Sequence, residues 1–150
     1  MTKLKLFEAF AGIGAQAKSL KNIGVDFESV GVAEVDGDAI KSYAAVHADT
    51  SNVTMPSVEE MQAYMERLNI PLDKKGNRRI LKDTELEAVY RASVAIKNVG
   101  DISKVKDFPE MDLFTYSFPC QSISFAGYGH GLDRGSGTRS SLLWVTKLLQ

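Results

Sequence analysis

Cysteine is nearly absent: Cys120 stands alone among 150 residues, so no internal disulfide can form. Histidine is almost as scarce, and His47 and His130 beside one thiol make no credible zinc set, so no metal is expected. Long apolar runs are missing, which excludes a membrane-spanning helix. The opening MTKLKLFEAF also lacks the apolar core and small residues of a secretory signal, so a cytoplasmic protein without membrane contact is expected. An excess of charge is lacking too. At a formal net charge of -1 there is no global electrostatic case for nucleic acid, and any basic contact surface must be local or supplied elsewhere.

What is present is ordinary for a globular chain, with 44% hydrophobic and 25% charged residues. A chain of this length suits one domain, which buries roughly two thirds of the surface its unfolded form exposes. No repeat or low-complexity tract interrupts it.

Leu4 to Ala9 reads as a short strand, followed by a glycine turn in AFAGIGAQ and a helix that stops at Gly24. Phe27 to Val35 reads as a second strand, whose small and β-branched residues suit a parallel strand covered on both faces. Asp38 to His47 is expected to be helical, with Ile40, Tyr43, Ala44 and His47 on one face. Between 48 and 100, Ser57 with Glu60 and Thr84 with Glu87 have capping-box spacing. Apolar stripes follow each pair: Met61, Tyr64, Met65 and Leu68, then Leu86, Val89, Tyr90 and Ile96. Two helices joined by the basic turn DKKGNRR are therefore expected, the turn being either a solvated loop or a DNA contact. Met111 to Ser117 gives another buried strand, a long glycine- and serine-rich loop follows to Gly137, and Thr138 to Gln150 closes as a helix.

Strand, Gly12-x-Gly14, helix and then an acid at Glu34 is the arrangement of an adenosine-binding α/β unit. Glycines let a ligand approach the backbone, and a carboxylate ending the next strand accepts from ribose hydroxyls. The fingerprint alone does not separate an adenosyl sulfonium from NAD or FAD, nor either from a turn with no ligand. With the sulfonium, Phe10 lines the pocket, Glu34 takes the ribose and Val35 lies against adenine. Asp101, between Gly100 and Ile102, is either an acceptor for the adenine amino group or part of a Gly-Asp turn. Cys120 follows a strand at what would be the carboxyl edge of a parallel sheet, where open α/β folds bind ligands. A thiolate there is a nucleophile; a lone cysteine is otherwise buried filler.

LFEAFAGIGA, then GVAEVD, GDI, DLFTYSFPCQSISFAG and GTRSSLLW together resemble the first five motifs of the DNA (cytosine-5)-methyltransferase family, in order and over nearly the whole chain. FPCQS after a buried strand is the most specific of them. The resemblance implies an α/β, Rossmann-like class I methyltransferase fold whose parallel sheet has the order 3-2-1-4 and an unfinished edge. It implies S-adenosylmethionine as donor, S-adenosylhomocysteine as product, and a cytosine flipped out of double-stranded DNA as acceptor, since the target atom is unreachable in the stack. Carried over by residue, Phe10, Ala11, Gly12, Ile13 and Gly14 wrap the cofactor, Glu34 takes the ribose with Val35 and Asp36 beside it, and Asp101 and Ile102 hold adenine. Pro119 borders the methyl-donor side, Cys120 attacks carbon 6, and Gln121, Ser124 and the loop to Gly137 close over DNA. Arg139 pairs with a phosphate or with the cysteine site, or is a surface charge at a helix start.

The chain also departs from the family pattern. Residues 49–99 form a helical insertion longer than in compact members, with no role legible in the sequence. The Glu-Asn-Val segment, the target-recognition domain and the closing C-terminal helix do not appear among these residues, so residues 1–150 are expected to be the front part of a catalytic domain. Such a chain is expected to need a complementing C-terminal fragment or subunit for activity. The rival expectations are a non-catalytic S-adenosylmethionine-binding or regulatory module, for which Cys120 has no use, and a nucleotide-dependent oxidoreductase, which would not need the cysteine loop.

Overall fold

The computed structural model describes residues 3–73 and 75–117. By internal packing the chain divides into two units, residues 1–115 and 116–150. The closing helix and the glycine-rich loop expected from the sequence lie outside the described residues.

Strand β1 (Leu4–Ala9) leads through a turn to helix α1 (Ala15–Asn22), then β2 (Phe27–Ala33) and α2 (Gly37–His47). Helices α3 (Val58–Leu68) and α4 (Asp83–Ala95) follow, then a short 3-10 turn at Ile102–Lys104 and β3 (Leu113–Tyr116). β1 and β2 run parallel, as a strand-helix-strand unit requires. Leu6, Phe7, Glu8 and Ala9 are all buried, so β1 is covered on both faces. Phe7 sits edge-on to Phe108 and stacked against Phe114. It pairs in register with Gly31, where a Cβ would come within 2.8 Å of the Phe7 ring, so a bare backbone is what seats it.

The sheet has the order β2-β1-β3, three strands among the described residues. The expected four-strand order 3-2-1-4 is not seen among the described residues: outside β2, residues 97–99 make only a single parallel bridge, Val32 with Asn98. On that edge Val32 N–H donates to Lys97 O at 3.4 Å and Val99 N–H to Val32 O at 2.8 Å. Gly100, with φ near 77°, then turns the chain away under Leu68, and the ladder ends.

The expected helices between 49 and 99 are α3 and α4, and they supply core rather than decorate it. Met61, Met65, Ile70, Leu81, Leu86, Val89, Ala92 and Ile96 form one buried cluster with Val32, Ile40, Tyr43 and Ala44. Burying such side chains is worth about 1.5–3 kcal/mol each for the larger ones, so this segment contributes heavily to stability. The Ser57 and Glu60 capping box forms at the start of α3. Its counterpart at Thr84 and Glu87 does not: α4 already begins at Asp83, with Lys82 as a cap that offers no side-chain acceptor. No helix among the described residues is long and apolar enough to cross a membrane.

Candidate functional site

The ends of β1 and β2 are tied where Phe10 N–H donates to Ala33 O at 2.8 Å. That bond puts the glycine turn and Glu34 at one sheet edge, the carboxyl edge, where parallel α/β sheets receive ligands. The turn needs left-handed backbone at three places, Phe10 (φ 54°), Gly12 (φ 55°) and Gly14 (φ 79°), before α1 can start at Ala15. Gly14 caps α1 without a side chain, and its N–H closes the turn onto Ala11 O at 2.8 Å.

The two glycines do different work. A Cβ on Gly14 would lie 2.6 Å from Cδ2 of His47 and 2.7 Å from the Tyr43 ring, so the turn is pressed against α2. Among the described residues a Cβ on Gly12 would meet nothing within 4 Å, so that backbone faces open space there. Ala11 is buried, whereas Ile13 is 62% exposed. Burial, followed by the nearby Lys21 ammonium, holds the His47 ring below the ordinary histidine range, favouring the neutral imidazole behind Gly14.

Glu34 is the hub of this edge. Its Oε2 accepts from Gly12 N–H at 2.7 Å, and its Oε1 accepts from Val35 N–H at 2.8 Å and Asp36 N–H at 2.9 Å. A carboxylate has about four acceptor positions, so three N–H donors leave room at Oε2 for a hydroxyl. Val35 packs against the core cluster, and its carbonyl accepts from Leu72 N–H at 2.8 Å. Asp36 is engaged as the N-cap of α2, accepting from Asp38 N–H and Ala39 N–H.

Asp101 N–H donates to Leu68 O at 3.0 Å. Its Oδ1 accepts from the backbone and hydroxyl of Ser103, and its Oδ2 from Asn69 Nδ2 at 2.9 Å. The carboxylate thus serves as a cap for the 3-10 turn, with Ile102 buried beneath it. The segment from Leu68 to Leu72 braces both Val35 and Asp101, a placement that helix periodicity in the sequence does not reveal. Pro119, Cys120, Gln121 and Arg139 lie outside the described residues.

A second acid, Glu8, was not singled out by any motif. It is fully buried, and its carboxylate accepts from Tyr43 O–H and from Ala17 N–H. Burial pushes its pKa above the usual carboxylate range, against the opposing pull of those two hydrogen bonds. An acid set directly between Phe7 and Ala9 in the strand is the sequence signal it leaves. Asn98 was also missed; its side chain bonds to the backbone of Glu34 on both sides. Among the described residues no cluster of His, Cys, Asp and Glu is placed to hold a metal.

A family model for the C-5 cytosine-specific DNA methylases matches residues 56–147. The chain belongs to this family. It is 45% identical over 151 residues to the type II methyltransferase M2.ScrFI of Lactococcus lactis subsp. cremoris, covering 94% of this chain and 42% of that protein. It is 42% identical to the orphan methyltransferase M.SssI of Spiroplasma monobiae, over 95% of this chain and 40% of that one. The orphan methyltransferase M.Rho11sI of Bacillus phage rho11s is 36% identical over 92% of this chain, which spans 19% of the phage protein. The chain therefore spans about two fifths of the length of these two bacterial relatives.

Proposed function

We propose that this chain is the cofactor-binding front of a DNA (cytosine-5)-methyltransferase and carries its cysteine nucleophile. The observation that supports this most is the joined pair of Gly12 N–H and Glu34 carboxylate at the carboxyl edge of β1 and β2, in a chain of this family. Gly12 facing open space and the remaining acceptor capacity of Glu34 suit an adenosyl group. When bound, S-adenosylmethionine supplies the methyl group and leaves as S-adenosylhomocysteine.

On this reading Phe10, Ala11, Gly12, Ile13 and Gly14 line the cofactor, Glu34 accepts from the ribose, and Val35 and Asp36 flank it. Asp101 and Ile102 border the adenine. The Cys120 thiolate adds to carbon 6 of a flipped cytosine, which makes carbon 5 nucleophilic enough to take the methyl group. A base then removes the carbon 5 proton and the thiolate leaves. Pro119, Gln121 and Arg139 support the loop that presents this thiol to double-stranded DNA. The chain works together with the portion of the protein corresponding to the part of its relatives that it does not cover, which brings base recognition and the remaining acid-base groups.

A duplex containing 5-fluorocytosine tests the reading, because fluorine cannot leave as a proton does and the covalent adduct persists. With S-adenosylmethionine and the complementing portion present, a Cys120-linked adduct is expected, and Cys120→Ser abolishes it. An adduct of undiminished yield in the serine variant removes Cys120 from the role.

A further inference from the structure

The outer edge of β2 is paired in an unusual way at its last turn. Val32 exposes its N–H and C=O toward residues 97–99 and finds backbone partners there. Glu34, two residues on, presents its own N–H and C=O on the same edge, since alternate residues of a strand share an edge. No backbone can meet them, because the chain turns away at Gly100, whose backbone is packed against Leu68. The carboxamide of Asn98 fills the gap. Its Oδ1 accepts from Glu34 N–H at 3.1 Å, and its Nδ2 donates to Glu34 O at 3.0 Å. The same Oδ1 accepts from Gly100 N–H at 3.0 Å, fixing the side chain from behind, and Asn98 is only 5% exposed.

An asparagine amide is chemically a peptide unit, one acceptor and one donor group in a plane. Here it continues the β-ladder by one step and holds the backbone of Glu34 extended. The direction of the Glu34 Cα–Cβ bond follows from that backbone, and with it the aim of the carboxylate at Gly12 N–H. Aspartate would keep the acceptor and lose the donor. Alanine would lose both and leave two part-buried backbone groups of Glu34 without partners.

We propose that Asn98 is the positioning residue of the ligand site, setting the Glu34 carboxylate across the glycine turn without itself touching the ligand. The inference rests on the reading that Glu34 receives the ribose, and two independent measurements on the full chain separate the two. Amide hydrogen exchange reads the positioning directly. In Asn98→Ala, exchange at Gly12 should rise by roughly tenfold, the change that loss of a net hydrogen bond produces, while Leu6 to Ala9 keep their protection. Unchanged exchange at Gly12 overturns the proposal. If Asn98→Ala does not fold, Asn98→Asp, which retains the acceptor, carries the same comparison.

Calorimetry with S-adenosylhomocysteine reads the consequence. Asn98→Ala should weaken binding about tenfold in the native background and not at all in a Glu34→Ala background, because its effect travels through Glu34. Additive losses in the double variant would show a general loosening of the fold and overturn the positioning role. Should Glu34→Ala leave the isotherm as it is, the ribose assignment falls, and exchange at Gly12 still decides whether Asn98 orients Glu34.

Discussion

Gly12 N–H donates to Glu34 Oε2 at 2.7 Å, joining the glycine turn after β1 to the acid after β2 across 22 residues of chain. The same carboxylate holds Val35 and Asp36 through its other oxygen, so one side chain organises the whole sheet edge. A bond between two parts of a binding site preorganises it, reducing the ordering cost that binding would otherwise carry.

Glu34→Gln tests whether both oxygens are needed. The amide has the same shape but a single acceptor, and its NH2 group would face N–H donors on one side. We expect a loss of about 1–2 kcal/mol in stability and at least tenfold in affinity for S-adenosylhomocysteine, read by urea unfolding and calorimetry. Wild-type values for both would show that a single acceptor suffices.

The two glycines of the turn should separate in their effects. Gly12→Ala costs backbone strain alone, about 1–2 kcal/mol for a left-handed residue, and places a methyl group where a ligand would approach. Gly14→Ala adds overlap with the His47 and Tyr43 rings to the same strain, so about 2–4 kcal/mol is expected. Equal unfolding midpoints for the two variants would contradict the close packing of Gly14 on α2.

Glu8 makes stability depend on pH in an unusual direction. Its folded pKa lies above its ordinary value of 4.5 because of burial, so at pH values between the two the folded chain holds a proton that the unfolded chain has released. Folding then takes up a proton, and stability falls as pH rises through that window. Asp38, Asp49 and Asp73, held below the ordinary range by their partners, act oppositely at lower pH, so the comparison must be with Glu8→Gln. The glutamine variant should gain on the native chain as pH climbs from 4.5 toward the raised value. Parallel stability curves would show that Glu8 ionises as freely folded as unfolded.

Asn69 ends α3 in the left-handed conformation, with φ 54°, and its side chain donates to Asp101. Asn69→Gly keeps the backbone and loses the bond, whereas Asn69→Ala loses both. Alanine should therefore be the less stable by about 1 kcal/mol in thermal unfolding, and the reverse order would show that the left-handed backbone is not what selects the residue at this helix end.

The sequence alone determined the elements and the motif positions, because both rest on local rules. Small and β-branched residues marked β2, apolar spacing marked α2 and α3, and the Ser57 and Glu60 box started α3 where its spacing says it should. Glycines placed the turn at 12 and 14, since both positions take the left-handed backbone that glycine favours. The same local logic misplaced the start of α4, where Thr84 had the right spacing but the helix had already begun at Asp83. Tertiary structure decided what joins these pieces. Asn98 meets Glu34 across 64 residues, and Tyr43 meets Glu8 across 35. Whether residues 49–99 decorate the fold or fill its core was likewise settled by packing. Each of these pairings depends on where the chain returns after loops whose lengths carry no chemical signature, so the partner residues look like any other asparagine, tyrosine or glutamate until the fold brings them together.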